Sequence, residues 1–243
     1  MFSFVISTLD FGKALCHISV AFLDRSSNLN IYSFRISPML SREDFENFVN
    51  KFEEGIITDI GTIKLKKLSQ GRFIEEFNLD LEVNGESLLT LKVFLGRYPY
   101  WNPWIEVFGI KPRIKGKDFW NSEAEREVYN IISRYFPKVF VEYFEDKETA
   151  KELQKGVPPA LSRLGFELLK RGYTYFRDWY IPEGLMEGGH KIQAEKPLNE
   201  EIMKKHIKKL QEEYREFIQK CTDENLKKKI EKRYLEYNLI TNG

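Results

Sequence analysis

One short segment places acidic, phenolic and indole side chains beside several glycines, from Asp178-Trp179-Tyr180 to Gly188-Gly189. This combination at the end of a strand is typical of a ligand-binding loop, because glycines let the backbone turn close to a ligand. Glu183 and Glu187 can receive a cationic amine. The segment therefore predicts an amine-binding site. The alternative is a wide hairpin whose glycines serve turn geometry and whose aromatic rings pack.

A second candidate is the basic loop Lys111–Asp118, which contains Arg113, Lys115, Gly116 and Lys117. The loop leads from a strand pattern into a helix pattern, and free backbone amides at a helix N-terminus bind phosphate groups. It predicts a phosphate site at the start of that helix. A solvated basic loop without a ligand is the competing interpretation.

The sequence gives little indication of a metal site, of a common hydrolase or nucleotide-binding motif, or of a nucleic-acid site. His17, His190 and His206 are scattered and the two cysteines form no ligand motif, so no metal site is expected. The motifs of common serine hydrolases, nucleotide triphosphatases and zinc proteases do not occur. The aromatic connection Tyr98–Trp104 can stack on single-stranded nucleic acid, although packing on the core explains it more simply.

The first half of the chain predicts mainly strands. Asn84-Gly85 is a strong hairpin turn between two of them. A capping residue at Ser41 begins a short amphipathic helix that ends at Gly55. The predicted strands are Phe2–Leu9, Ala14–Leu23, Leu29–Ile36, Thr62–Leu68, Ile74–Val83, Ser87–Leu95 and Trp104–Ile110.

The second half alternates helices and strands. Ser122 and Glu125 form a capping box before a helix that stops ahead of Pro137. Beyond Pro197, long apolar stripes predict a pair of amphipathic helices that packs on its own core or on a second copy in a homo-oligomer. Between these helices we expect strands at Val139–Phe144, Tyr173–Ile181 and Ile192–Glu195, and a helix at Pro158–Arg171.

From about Ile74 to Pro197, this order of elements resembles the GNAT acyltransferase superfamily. The resemblance implies an α+β fold with a mixed, largely antiparallel central sheet flanked by helices, and coenzyme A or acyl-CoA as the cofactor. The sequence Arg113-x-x-Gly116 is similar to the superfamily's pyrophosphate loop, so the resemblance implies that Arg113, Lys115, Gly116 and Lys117 bind the cofactor. Asp118 stands where the superfamily has glycine or alanine.

The same resemblance implies catalytic residues. Glu142 and Glu106 occupy positions where the superfamily often has a base that deprotonates the acceptor amine. Glu142, Tyr180 and Glu183 are therefore expected to hold and activate the amine. Leu168 replaces the tyrosine with which many members protonate the departing thiolate.

A narrower resemblance rests on four motifs, which are similar to an uncharacterised, mainly archaeal family known only as a domain of unknown function. It implies a fold and no reaction. The motifs are Asp146-Lys147-Glu148-Thr149, Gly156-Val157-Pro158-Pro159, Arg163-Leu164-Gly165 and the segment that begins at Asp178-Trp179-Tyr180.

Composition limits the partners. The 38 Lys plus Arg balance 37 Asp plus Glu, so no overall field attracts nucleic acid or an anionic membrane. No apolar run reaches the roughly 20 residues of a membrane span, and we expect a cytoplasmic protein without a membrane partner. Abundant lysine and glutamate with few cysteines and methionines favour a thermophile.

We expect a core over residues 1–197 and a helical appendage over residues 198–243. Two functions compete. The first is an acyl-CoA-dependent N-acyltransferase that acts on a small-molecule or peptide amine. The second is a non-catalytic module that binds RNA or a protein partner, which Asp118 and Leu168 favour.

Overall fold

The computed structural model describes residues 16–23, 29–36, 40–96, 102–143, 146–181 and 189–242. The predicted strand Phe2–Leu9, residues 98–101 of the aromatic connection, and Glu183 lie outside the described residues. The backbone of Tyr180 lies in a described strand.

The described strands and helices alternate along the second half of the chain, as the sequence indicates. The strands are β1 (Cys16–Leu23), β2 (Leu29–Ile36), β3 (Ile56–Thr58), β4 (Gly61–Gln70), β5 (Glu76–Val83), β6 (Glu86–Phe94), β7 (Trp104–Phe108), β8 (Arg113–Ile114), β9 (Lys117–Asp118), β10 (Lys138–Glu142), β11 (Tyr175–Ile181) and β12 (Gly189–Glu195). The helices are α1 (Arg42–Glu54), α2 (Glu123–Tyr135), α3 (Lys147–Gln154), α4 (Arg163–Leu169), α5 (Glu200–Lys220) and α6 (Glu224–Asn242), with a 3-10 turn at Pro159–Leu161.

A large sheet organises the fold, with strand order β11-β12-β10-β7-β6-β5-β4-β3. Its neighbouring strands are antiparallel except for β7 and β10, which run parallel from Trp104↔Lys138 to Val107↔Val141. A parallel pair needs a crossover connection, and α2 provides it. The expected mixed α+β class with a largely antiparallel sheet and helices is thus confirmed.

The two faces of this sheet differ in chemistry because successive strand residues point to opposite sides. One face is apolar and belongs to the same buried cluster as α1, α2 and α4; its strand residues include Leu79, Leu91, Ile105, Val139, Val141 and Ile192. We call the opposite side the polar face. Near β10 it consists of Trp104, Glu106, Lys138, Phe140, Glu142, Tyr175, Arg177, Trp179, Lys191, Gln193 and Glu195.

Local signals in the sequence account for many element boundaries. The hydroxyls of Ser41 and Ser122 accept bonds from the third amides of α1 and α2, as N-cap residues do. Asn84 and Gly85 adopt positive φ values of 52° and 85° between β5 and β6, which fits the predicted hairpin turn.

The helix predicted over Pro158–Arg171 is divided in two. Ser162 ends the 3-10 turn and caps α4, and its hydroxyl accepts a bond from the Gly165 amide. Helix α3 was not predicted, because its eight residues carry few apolar side chains; its start is fixed by the carboxylate of Asp146, which caps the amides of Glu148 and Thr149.

The C-terminal helices pack on the chain's own core. Leu210 and Phe217 of α5 and Leu226 and Ile230 of α6 are members of the main buried cluster. None of the described helices is both long and apolar enough to cross a membrane.

Gly165 is predicted to be indispensable for the contact between α4 and the 3-10 turn. An ideal Cβ at this position would lie 1.7 Å from the carbonyl oxygen of Pro159. Replacing glycine by alanine inside a helix ordinarily stabilises a protein by about 0.5–1 kcal/mol, but here the clash should reverse the sign. We expect Gly165→Ala to lower the free energy of unfolding by about 1–3 kcal/mol in urea titrations. Lys151→Ala in α3, at an exposed position, is the control, and a stabilised Gly165→Ala protein would contradict the close packing.

Candidate functional site

Strand register places Glu142 and the backbone of Tyr180, two of the predicted catalytic residues, at one end of the sheet. Glu142, the last residue of β10, is opposite Lys191 of β12. Lys191 is in turn opposite Trp179 of β11, and Tyr180 is opposite His190. The backbone of Tyr180 therefore lies two strands from Glu142, at the end where residues 182–188 connect β11 and β12.

The carboxylates of Glu106 and Glu142 share the ammonium group of Lys191. The Lys191 Nζ lies 3.2 Å from Glu142 Oε1 and contacts Glu106 Oε1 directly. These three side chains, here called the Glu-Lys-Glu cluster, are 15–25% exposed, so solutes can reach them. Glu142 ends the parallel strand β10, at an edge of the sheet where ligand sites are common, and Glu106 lies midway along its parallel neighbour β7.

Charge determines what the cluster can bind. Burial disfavours the Lys191 ammonium, but hydrogen bonds and charges from Glu106 and Glu142 outweigh that effect and raise the pKa of Lys191. Lys191 thus stays protonated and is no nucleophile near neutral pH. The cluster thus presents two partly exposed carboxylates, which suit an incoming ammonium group.

Two other lysines of the polar face pair with carboxylates outside the cluster. Lys92, opposite Glu106 in register, lies 3.6 Å from a carboxylate oxygen of Glu76. Lys138 lies 3.0 Å from that of Glu195. Each of these lysines therefore has its own carboxylate partner.

A second polar group lies on the apolar side of the same strands. The Tyr143 hydroxyl donates a 2.7 Å hydrogen bond to Asp178 Oδ1, and the Nδ1 atom of His190 is 3.5 Å from the same oxygen. Burial, and then the bond to Asp178, raise the pKa of Tyr143, so its hydroxyl keeps its proton. This group fixes β10, β11 and β12 together at the end where the Glu-Lys-Glu cluster lies.

A groove of about 460 Å³ lies beside the cluster on the polar face, because its lining residue Trp179 is opposite Lys191 in register. Its floor is formed by β10, β11 and β12, and one wall is formed by the segment before α5 and the first turns of that helix. The groove is lined by Lys138, Phe140, Tyr175, Arg177, Trp179, Gln193, Glu195, Lys196, Leu198, Ile202 and His206.

The basic loop has a different form from the one expected. The helix does not begin after Gly116, because Lys115 and Gly116 take positive φ values of 49° and 80° and turn the chain into a hairpin of β8 and β9. Arg113 is held by Asp118, with 2.6 Å between Nε and Oδ1, and Lys117 donates to the carbonyl of Asp59. All four predicted cofactor residues are exposed.

The amides at the true start of α2 are already bonded within the chain. The Asn121 amide donates to Glu125 Oε2 at 2.6 Å and the Ala124 amide to Asp59 Oδ1 at 3.2 Å. The Glu125 amide donates to the Ser122 hydroxyl. Two carboxylates at this terminus would also repel a pyrophosphate, so the described geometry does not fit that group there.

Sequence reasoning missed Lys191 as a member of the site. The alternation of β12 places Lys191, Gln193 and Glu195 on one face, and that signal was available in the sequence. The partner strand and its register were not, and these bring Lys191 between Glu106 and Glu142. Among the described residues, no group of three or more potential metal ligands is arranged to hold an ion.

The relatives found by comparison with known proteins are described as proteins of unknown function. Residues 59–221 match the family described as Protein of unknown function (DUF1122). A solved structure of a protein of unknown function, AQ1966 from Aquifex aeolicus VF5, is 61% identical, covers 80% of this chain and 98% of that chain, and has a TM-score of 0.77. No curated protein matches.

A second solved structure is the GNAT domain of S. lividans PAT. It is 11% identical, the match covers 72% of this chain and 95% of that chain, and the TM-score is 0.25. A likeness of this size carries no functional argument.

Proposed function

We propose that this chain, which belongs to the DUF1122 family of proteins of unknown function, transfers an acyl group to an amine on the polar face of its sheet. The observation that carries the proposal is the Glu-Lys-Glu cluster, in which one lysine holds two partly exposed carboxylates side by side on the polar face. The strand order, with a single parallel pair crossed by α2 in the described sheet, supports the GNAT resemblance of the sequence.

Each cluster residue has a separate role in this proposal. Glu142 and Glu106 attract the protonated amine, and one of them takes a proton from it, so that the neutral nitrogen can attack the acyl carbon. The C–S bond of the thioester then breaks, and the second proton lost by the nitrogen neutralises the departing thiolate. Lys191 holds the two carboxylates in place and keeps their repulsion small. Tyr180 and Glu183 remain predicted acceptor contacts. In register, Tyr180 is opposite His190, at a strand position that belongs to the other face from Trp179 and Lys191.

The acyl donor is the least constrained part of the proposal. Coenzyme A is implied by the sequence resemblance, but the start of α2 does not fit its pyrophosphate. Arg113, Lys115 and Lys117 offer exposed positive charge nearby.

Thermal unfolding with and without acetyl-CoA and longer acyl-CoA esters tests the donor. A ligand present at about a hundred times its dissociation constant adds roughly 2.7 kcal/mol to the free energy of unfolding, so the melting temperature should rise clearly. Free phosphate at equal ionic strength is the control for nonspecific anion binding. An unchanged melting temperature with every ester would argue against a CoA-dependent enzyme.

The alternative is a non-catalytic module that binds RNA or a protein. The observation that favours it is the hairpin of β8 and β9, whose turn exposes Lys115 and Lys117. RNA binding that weakens steeply with salt, in a protein that no acyl-CoA ester stabilises, would favour this alternative.

A further inference from the structure

The groove beside the Glu-Lys-Glu cluster contains an arginine that forms no ion pair with any described residue. Arg177 of the edge strand β11 is exposed, and its contacts are with Tyr175, whose ring centroid lies 5.1 Å from the guanidinium carbon. Among the described residues, no carboxylate lies within ion-pair distance of it. An arginine held on an aromatic ring in this way is oriented to receive an anion.

An exposed aromatic side chain lies next to this arginine. Trp179, two residues further along β11 on the same face, is 49% exposed. A tryptophan on the wall of a groove provides a flat apolar surface on which a ring can stack, and such stacking contributes about 1–3 kcal/mol per base in nucleic-acid complexes. Arg177 and Trp179 therefore offer an anion site and a ring site side by side.

The two ends of this surface carry opposite charge. Of the cations that line the groove, Lys138 pairs with Glu195 and Lys196 donates to the Ser133 carbonyl, so Arg177 supplies the positive charge at that end. The Glu-Lys-Glu cluster at the other end presents two carboxylates. Neighbouring strands lie about 4.8 Å apart, so Glu142, two strands from Trp179, is on the order of 10 Å away across the face.

We infer that the groove binds an aromatic ligand with a negative group at one end and an ammonium group at the other. The anion lies at Arg177, the ring on Trp179, and the ammonium toward Glu142. This inference gives a chemical class to the amine acceptor and rests on the proposed function for that assignment, although binding itself requires no reaction.

A polymer is a poorer occupant than a small molecule. Leu198 and Ile202 close one side of the groove. Its volume of about 460 Å³ is in the range of small-molecule sites, which run from roughly 300 to 1,000 Å³.

Calorimetric titration of the full chain with three small probes tests the inference without any acyl donor. Tyramine O-phosphate has the ring and both charges, phenyl phosphate lacks the ammonium, and tyramine lacks the anion. We expect tyramine O-phosphate to bind about tenfold more tightly than either of the others. Phenylacetate in place of phenyl phosphate shows whether a carboxylate serves as well as a phosphate.

Variants assign the binding to the groove. Arg177→Gln should weaken binding of both phosphates about tenfold and leave tyramine unchanged, whereas Trp179→Leu should weaken all three probes. Arg72→Gln is the matched control, because Arg72 is also exposed above a ring, that of Phe73 at 5.8 Å, outside the groove. Thermal unfolding of each variant verifies folding.

Two outcomes would overturn the inference: no binding of any probe at millimolar concentration, or equal losses in Arg177→Gln and Arg72→Gln. Binding with the expected pattern but no acyl transfer would refute only the proposed function. The two failures are therefore distinguishable.

Discussion

Replacement of Arg163 by methionine should lower the free energy of unfolding by about 3–5 kcal/mol, because it leaves buried carboxylates without their counter-charge. Arg163 is 4% exposed and Glu125 is 1% exposed. The guanidinium binds Glu125 through two bonds of 2.8 and 3.0 Å and Asp146 through one of 2.6 Å. It also lies 5.0 Å from the ring centroid of Trp120.

The loss should depend on pH. Burial raises the pKa of Glu125, and Arg163 is the main group that opposes this rise. Without Arg163, Glu125 will bind a proton in the folded state at a higher pH than it does when unfolded. The deficit relative to the wild type is therefore smaller in mildly acidic buffer and grows as the pH rises through that folded pKa.

Urea titrations at two pH values, followed by circular dichroism, measure both effects. Arg126→Met, an exposed position in the same helix as Glu125, is the control and should change stability by less than about 0.5 kcal/mol. An Arg163→Met protein as stable as Arg126→Met would show that the buried charges are not what joins α2, α3 and α4.

The second large effect concerns the proposed reaction. Glu142→Gln keeps the shape of the side chain and removes its charge, so kcat/KM for the amine should fall by about 10²-fold or more. The lost ion pair should raise KM, and the lost proton acceptor should lower kcat. Initial rates of thiol release at varied amine concentration measure both quantities.

Glu82→Gln provides the matched control. Glu82 is also half-buried, and it lies on the polar face in β5, away from the Glu-Lys-Glu cluster. Glu106→Gln should resemble Glu142→Gln, and the double variant should lose less than the product of the two, because the residues share Lys191. Unchanged kinetics in Glu142→Gln would remove this residue from the proposed mechanism.

The structure agrees with the predicted positions of some site residues and disagrees with others. The described strands place Glu142, Glu106 and the backbone of Tyr180 at one end of the sheet. The phosphate site expected after Gly116 met a hairpin instead of a helix start. The cofactor, the acceptor and the thermophilic and archaeal leanings remain predictions.

Much of the local structure could be predicted from the residues alone. Serine caps, an Asn-Gly turn and period-two alternation act through neighbouring residues, so they can be read without knowing the fold. For the same reason the edges of α1, β5 and β6 were predicted to within a few residues.

The contacts between residues far apart in the chain could not be predicted without the fold. Lys191 reaches Glu106, 85 residues away in the chain, because β12 pairs with β10 in one particular register. Arg163 meets Glu125 and Asp146 because three helices converge on the buried side of the sheet. Such contacts depend on strand order and helix packing. These follow from burial of the whole core, so no single position in the sequence indicates them.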